Sequence, residues 1–88
     1  MYYLVTADTD LTAKAKRLAS WHFSNTVAAA VINLRNGSVT GDILIQIQLA
    51  INTSASQAYH VPEGALLFTE GLFVDVVSGT IVGSVDLV

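Results

Sequence analysis

No cysteine occurs among the 88 residues of this chain. That excludes a disulfide framework, a cysteine-ligated zinc site and a thiol nucleophile, and it leaves the redox compartment open. Charge is scarce too, at 12% of residues against ~25% in an ordinary soluble domain. Four Lys and Arg stand against seven Asp and Glu, for a net charge of −3. The only basic cluster, Lys14, Lys16 and Arg17, reads as a solvated strand face. A nucleic-acid partner is not expected, because phosphate contacts need clustered Lys and Arg.

Long apolar runs are missing as well. The longest, Val27 to Ile32, falls far short of the ~20 residues that cross a bilayer as a helix, so no membrane partner is expected. The amino terminus lacks the basic start and long apolar stretch of a signal peptide and reaches Asp8 and Asp10 almost at once. The mature chain is therefore expected to begin at or near Met1, in the compartment where it is made.

The parts needed for chemistry are few. The two histidines, His22 and His60, show neither HxH nor HExxH spacing, which makes a poor metal case. His22 reads as a strand surface or rim residue and His60, just before Pro62, as structural. A Ser-His-Asp set can be drawn with His60, Asp75 and any of several serines, but no Gly-x-Ser-x-Gly elbow supports it. Asp8-Thr9-Asp10 could offer two carboxylates to calcium, yet it lacks the further ligands and the glycine of a calcium loop; turn and cap chemistry explains it better. The glycines sit in turns between strands and not between a strand and a helix, so no phosphate cradle is present. Asn36-Gly37-Ser38 and Asn52-Thr53-Ser54 match the glycosylation sequon, which carries no weight without a secretion signal. The expectation is a non-enzymatic protein with no catalytic, metal or cofactor residues.

Apolar surface, by contrast, is abundant. The hydrophobic fraction is 52% and the mean hydropathy +0.56. A domain of this size buries only roughly 60 to 65% of the surface its unfolded chain exposes. Such a chain suits an obligate oligomer or a subunit embedded in a larger assembly; the alternative is a sticky monomeric β domain rich in Ala, Ser and Thr.

Asn36-Gly37 lies between two alternating runs, the strongest local signal for a β-hairpin. A two-residue turn there sets Leu34 opposite Val39, Ile32 opposite Gly41, Ala30 opposite Ile43 and Ala28 opposite Ile45. Facing residues share a face. Ala28, Ala30, Ile32, Leu34, Val39, Ile43, Ile45 and Ile47 then lie together, with Asn33, Arg35, Thr40, Asp42, Gln46 and Gln48 on the other side. Ser78-Gly79 suggests a second hairpin, with Val76 opposite Ile81, Val74 opposite Gly83 and Leu72 opposite Val85. Residues 30–43 align with 72–85 at one constant offset, and both glycines of each segment coincide. Duplication and simple convergence of two hairpins both account for this. Gly41 and Gly83, each opposite a β-branched residue, suggest a bulge or a close backbone approach.

The remaining runs are shorter. Tyr2 to Thr6 reads as a strand or an extended arm. Ala13 to Phe23 alternates, with Ala13, Ala15, Ala19, Trp21 and Phe23 on one side, although Arg17 and Leu18 break the pattern. A short helix capped by Asp10, with Leu11, Ala15 and Leu18 on one face, is the competing reading. Residues 52–56 read as a polar loop, and Gln57 to Val61 as a short strand stopped by Pro62. A turn at Glu63-Gly64 leads into Ala65 to Phe68, and Thr69-Glu70-Gly71 forms another turn. The fold class is all-β: a small antiparallel β-sandwich or jelly-roll-like barrel of seven to eight short strands. Residues 1–12 form an amino-terminal arm or edge strand and 13–88 a single sandwich domain.

Phe23-Ser24-Asn25-Thr26, Leu34-Arg35-Asn36-Gly37 followed by Gly41, and Leu67-Phe68-Thr69-Glu70-Gly71-Leu72-Phe73-Val74 leading into Ser78-Gly79 carry a resemblance. Over most of residues 20–88 the chain resembles the small β-sandwich structural proteins of tailed bacteriophages, of the head decoration or cement type. The resemblance implies a virion subunit assembled in the host cytoplasm, a homo-oligomer with the major capsid protein or other virion subunits as partners. Tyr2, Tyr3, Leu4, Trp21 and Tyr59 are the candidate interface residues, with the segment Met1 to Ala7 reaching into a neighbour. A carbohydrate- or receptor-binding module of a tail or fibre is the alternative; it would present Trp21, Tyr59 or Phe73 on an exposed aromatic face.

Overall fold

The computed structural model describes residues 1–14, 17–25, 28–59 and 66–88. Among these, nine strands and no helix form: β1 (Tyr2–Val5), β2 (Thr9–Leu11), β3 (Arg17–Ser24), β4 (Ala30–Asn36), β5 (Ile43–Leu49), β6 (Ser54–Ala58), β7 (Leu66–Leu67), β8 (Leu72–Ser78) and β9 (Val82–Leu87). They build two antiparallel sheets. The first runs β1-β9-β3-β6, with β7 also pairing β3, and the second runs β2-β8-β4-β5. The all-β sandwich expected from the turn density is what forms, with one or two more strands than expected. Residues 1–12 account for the surplus, since they supply an edge strand to each sheet: β1 lies on β9 and β2 on β8.

The core lies where the inner faces meet. Val5, Leu18, Phe23 and Val85 from the first sheet, and Ile32, Leu34, Leu72 and Val74 from the second, are fully buried. Phe68 and Ile81, from connections between the sheets, are buried with them.

β4 and β5 pair as a hairpin, but not in the expected register. Ile32 faces Ile47, Leu34 faces Ile45 and Ala30 faces Leu49. A longer loop replaces the two-residue turn: the Asn36 N–H donates to the Asp42 carbonyl at 2.9 Å and the Gly41 N–H to the Ser38 carbonyl at 3.0 Å. The slip is six residues from the register expected (Leu34 opposite Ile45, not Val39), an even number. A side-chain period of two leaves every residue within the paired strands on its face, so Ala30, Ile32, Leu34, Ile45 and Ile47 still point inward. Val39 and Ile43 do not, and both are exposed, at 50% and 44%. A bulge at Leu44, where Leu34 pairs Ile45 but Arg35 pairs Ile43, accounts for the second.

The second expected hairpin does not exist. β8 belongs to one sheet and β9 to the other, so Ser78-Gly79 carries the chain across the sandwich. Gly79 has φ +80° and Gly37 φ +90°, and that left-handed backbone serves a sheet-to-sheet crossover as well as a hairpin loop. The aligned segments coincide in β4 and β8, which are direct neighbours with Leu34 facing Val74, and part company after the glycine. Close backbone approach holds at both later glycines. A Cβ on Gly83 would strike the His22 carbonyl, and one on Gly41 the Asn36 carbonyl.

The strand expected over Ala13 to Phe23 forms only as Arg17–Ser24. Ala13 and Lys14 instead lie in a turn closed by the Lys14 N–H on the Leu11 carbonyl at 3.0 Å, and Ala15 and Lys16 lie outside the described residues. A bulge at Ala19, between the pairs Leu18–Leu87 and Ser20–Asp86, explains the broken alternation. Leu18 is turned inward on one side of it, and Trp21 and Phe23 on the other. β6 starts at Ser54, inside the stretch expected to be loop. Asn52, at φ +57°, makes the turn more compact than its polar composition suggests. Buried Asn25 then fastens the new strand, with its Oδ1 accepting from the Thr53 N–H at 3.2 Å and its N–H donating to the Thr53 carbonyl at 3.0 Å. The expected stop at Pro62 and turn at Glu63-Gly64 lie outside the described residues, as do His60 and the end of the strand expected over Gln57 to Val61. The turn at Thr69-Glu70-Gly71 forms as expected, closed by the Gly71 N–H on the Phe68 carbonyl at 2.9 Å.

Candidate assembly surface

Alternation along a four-residue strand divides the candidate interface residues. β1 pairs in register with β9, Tyr2 to Asp86, Tyr3 to Val85, Leu4 to Ser84 and Val5 to Gly83. Tyr3 and Val5 therefore point into the sandwich, and Tyr2 and Leu4 point out, 71% and 73% exposed. The segment 1–5 is thus strapped to its own fold rather than free: the Met1 ammonium pairs with Asp86 Oδ1 at 2.8 Å and donates to the Leu87 carbonyl at 2.7 Å.

Trp21 and Tyr59 lie inward as well, half-buried and packed against the core. Trp21 continues the row Tyr3–Val85–Trp21 across the sheet. Its ring stacks on Phe23, with centroids 5.8 Å apart and planes 25° from parallel. Its indole N–H points to the Tyr59 hydroxyl at 3.4 Å. Of the five residues, then, Tyr2 and Leu4 form a surface, while Tyr3, Trp21 and Tyr59 line the sandwich. Phe73 is half-buried too.

The outer face of the first sheet sets the exposed Tyr2 and Leu4 at its edge beside serines, alanine and His22. Leu4, Ser84, His22 and Ser56 occupy one row across its strands, and Tyr2, Asp86, Ser20 and Ala58 the next. His22 is exposed there, at the strand surface where the alternation placed it. The outer face of the second sheet carries polar chains. Arg35 Nε donates to Asp75 Oδ2 at 2.9 Å and its Nη1 to the Gly41 carbonyl, also at 2.9 Å. Gln48 Nε2 donates to Gln46 Oε1 at 3.2 Å, and Gln46 Nε2 to Asn33 Oδ1 at 2.9 Å. This lets Asn33 sit outside the core and still be buried. Asp75, one member of the paper triad, is thus held by Arg35.

The turn expected at Asp8-Thr9-Asp10 is replaced by the start of β2, and Asp8 before it and Asp10 within it do local work. Asp8 Oδ1 accepts the Val76 N–H at 2.7 Å. Asp10 Oδ1 accepts the Thr12 hydroxyl at 2.6 Å and the Thr12 N–H at 3.0 Å. Those bonds, the hydroxyl's first, hold the Asp10 carboxyl below its ordinary pKa of 3.8. Among the described residues no three His, Asp or Glu side chains converge and no cleft forms.

Sequence reasoning missed the apolar surface at β5. Ile43, Leu44 and Ile51 are 44%, 42% and 54% exposed. Alternation assigns Ile43 to the core; the bulge at Leu44 and the position of β5 at a sheet edge show otherwise. No known protein family, curated protein or solved structure matches this chain.

Proposed function

We propose that the chain is a structural subunit of a larger assembly, a virion decoration or cement protein of the tailed-phage kind that its sequence resembles. Its partners are the major capsid protein or neighbouring virion subunits, and its place is the virion. The observation that carries this reading is the exposed pair Tyr2 and Leu4 on an open edge strand. An edge strand adds readily to a neighbour's sheet, and large apolar side chains flanking it gain by being covered. The scarcity of charge over the whole chain supports it. The glycan-binding alternative draws less support, since Trp21, Tyr59 and Phe73 are all half-buried and offer no open aromatic platform.

The test is physical association. Virus particles from the producing cell are banded on a density gradient and probed with an antibody against the chain. The expected result is co-banding that is lost on substituting Leu4→Lys with the fold intact. Absence of the chain from every particle fraction overturns the reading.

A further inference from the structure

The sandwich ends in four open strand edges among the described residues, and they are not alike. β2 is three residues long, β1 four, and β6, which shares its edge with the two-residue β7, five and mostly polar. β5 is seven, Ile-Leu-Ile-Gln-Ile-Gln-Leu, with no charge and no proline. Edges of this kind are ordinarily blunted by Lys, by Pro or by brevity, because their free N–H and C=O groups template pairing with another chain. The one blunting device present is the bulge at Leu44, at one end. Ile45 to Leu49 remains regular and open on its outer side.

The geometry points to self-association of this protein through β5, two copies pairing antiparallel about a two-fold axis at Ile47, so that their four-stranded sheets join into one of eight strands. This deepens the assembly reading and rests on it for the view that uncovered apolar surface here is meant to be covered. The occupant is a second copy because the strand complements itself. About Ile47, Ile45 faces Leu49 of the other copy on the inner face, and Gln46 faces its Gln48 on the outer face. Apolar meets apolar and amide meets amide, with no charge among the five. The same register carries Ile51 of each copy toward the end of the strand where Ile43 and Leu44 of the other are exposed. It thereby covers three of the apolar side chains that the lone chain leaves in water. Other registers break one of these matches: moving the axis to Gln46 sets Leu44 against Gln48.

The experiment is light scattering on gel-filtered protein over a range of concentrations, with side chains changed only on the exposed outer face. The full chain is expected to be a dimer that dissociates on dilution. Gln46→Lys with Gln48→Lys sets like charges opposite each other twice, and the dimer then requires roughly tenfold more protein or more. Gln46→Glu with Gln48→Lys sets opposite charges in the same two places, and the dimer persists at wild-type strength or better. Circular dichroism melts show that both variants are folded. A like-charge variant that dimerises as wild type overturns the inference, and so does a dimer broken by Leu4→Lys instead, which moves the contact to β1. A wild-type monomer at every concentration also overturns it; if that monomer still bands with particles, the subunit reading stands. A dimer that behaves as described but bands with no particle leaves β5 pairing in place and sinks the virion role.

Discussion

Arg35 and Asp75 form an ion pair across the centre of the second sheet, Nε to Oδ2 at 2.9 Å, with side chains only 20% and 14% exposed. The pair joins β4 to β8 on the face away from the core, and Arg35 also holds the β4–β5 loop through the Gly41 carbonyl.

Arg35→Ala removes both contacts and leaves the Asp75 carboxylate partly buried without a partner. It is expected to cost about 2 kcal/mol, read by urea denaturation, whereas an exposed pair of this type contributes well under 1 kcal/mol. A loss under about half a kcal/mol would mean that water screens the pair as it does at an open surface.

Gly83→Ala should be a strongly damaging single-methyl change. The new Cβ meets the His22 carbonyl and the Phe23 ring, on the central strand that β9 buries against. The strands must separate locally, at about 3 kcal/mol in a thermal melt.

Asn36 ties two loops, with its Nδ2 donating to Thr69 Oγ1 at 2.9 Å and its Oδ1 accepting the Glu70 N–H at 2.8 Å. Asn36→Ala loses both, and at an exposed site the expected cost is about 1 to 2 kcal/mol. Amide exchange should speed up at Glu70 and stay slow at Ile32.

Thr12→Ala raises the Asp10 pKa toward 3.8, because the hydroxyl that holds it down is gone. A carboxyl whose folded pKa is lowered contributes stability above its unfolded pKa and loses it as pH falls through the folded value. Wild type and variant should therefore differ most above pH ~4 and converge in stronger acid. NMR titration of the Asp10 side chain checks the direction, and unchanged titration would dismiss the bond.

Periodicity carried the sequence reading as far as it went. The faces of β4 and β5 survived a register error because an even slip preserves them. The loop from Gly37 to Asp42 was invisible, since Asn-Gly favours the shorter turn without enforcing it. Around Gly79 the error was one of topology: a positive φ and flanking β-branched residues serve a hairpin and a crossover alike, and only the pairing of β8 with β2 and β4, and of β9 with β1 and β3, distinguishes them. In β3 the irregularity at Arg17 and Leu18 was a real signal, later explained by the bulge at Ala19. For the candidate surface, scarce charge announced exposed apolar groups, but alternation does not say which face is inner. Tyr3 and Trp21 were accordingly grouped with Tyr2 and Leu4, although the structure sets the two pairs on opposite faces.

The place of β9 has a kinetic consequence. β1 pairs only with β9, the strand furthest from it in sequence, and β3 needs β9 as its neighbour on one side. The chain changes sheet at nearly every connection, so few strands can find a partner nearby in sequence, and such topologies fold in milliseconds to seconds rather than microseconds. Until β9 forms, the first sheet has only the pairings of β3 with β6 and β7. The sandwich therefore closes only once β9 is in place, in one late step, with β4 and β5 among the strands paired beforehand.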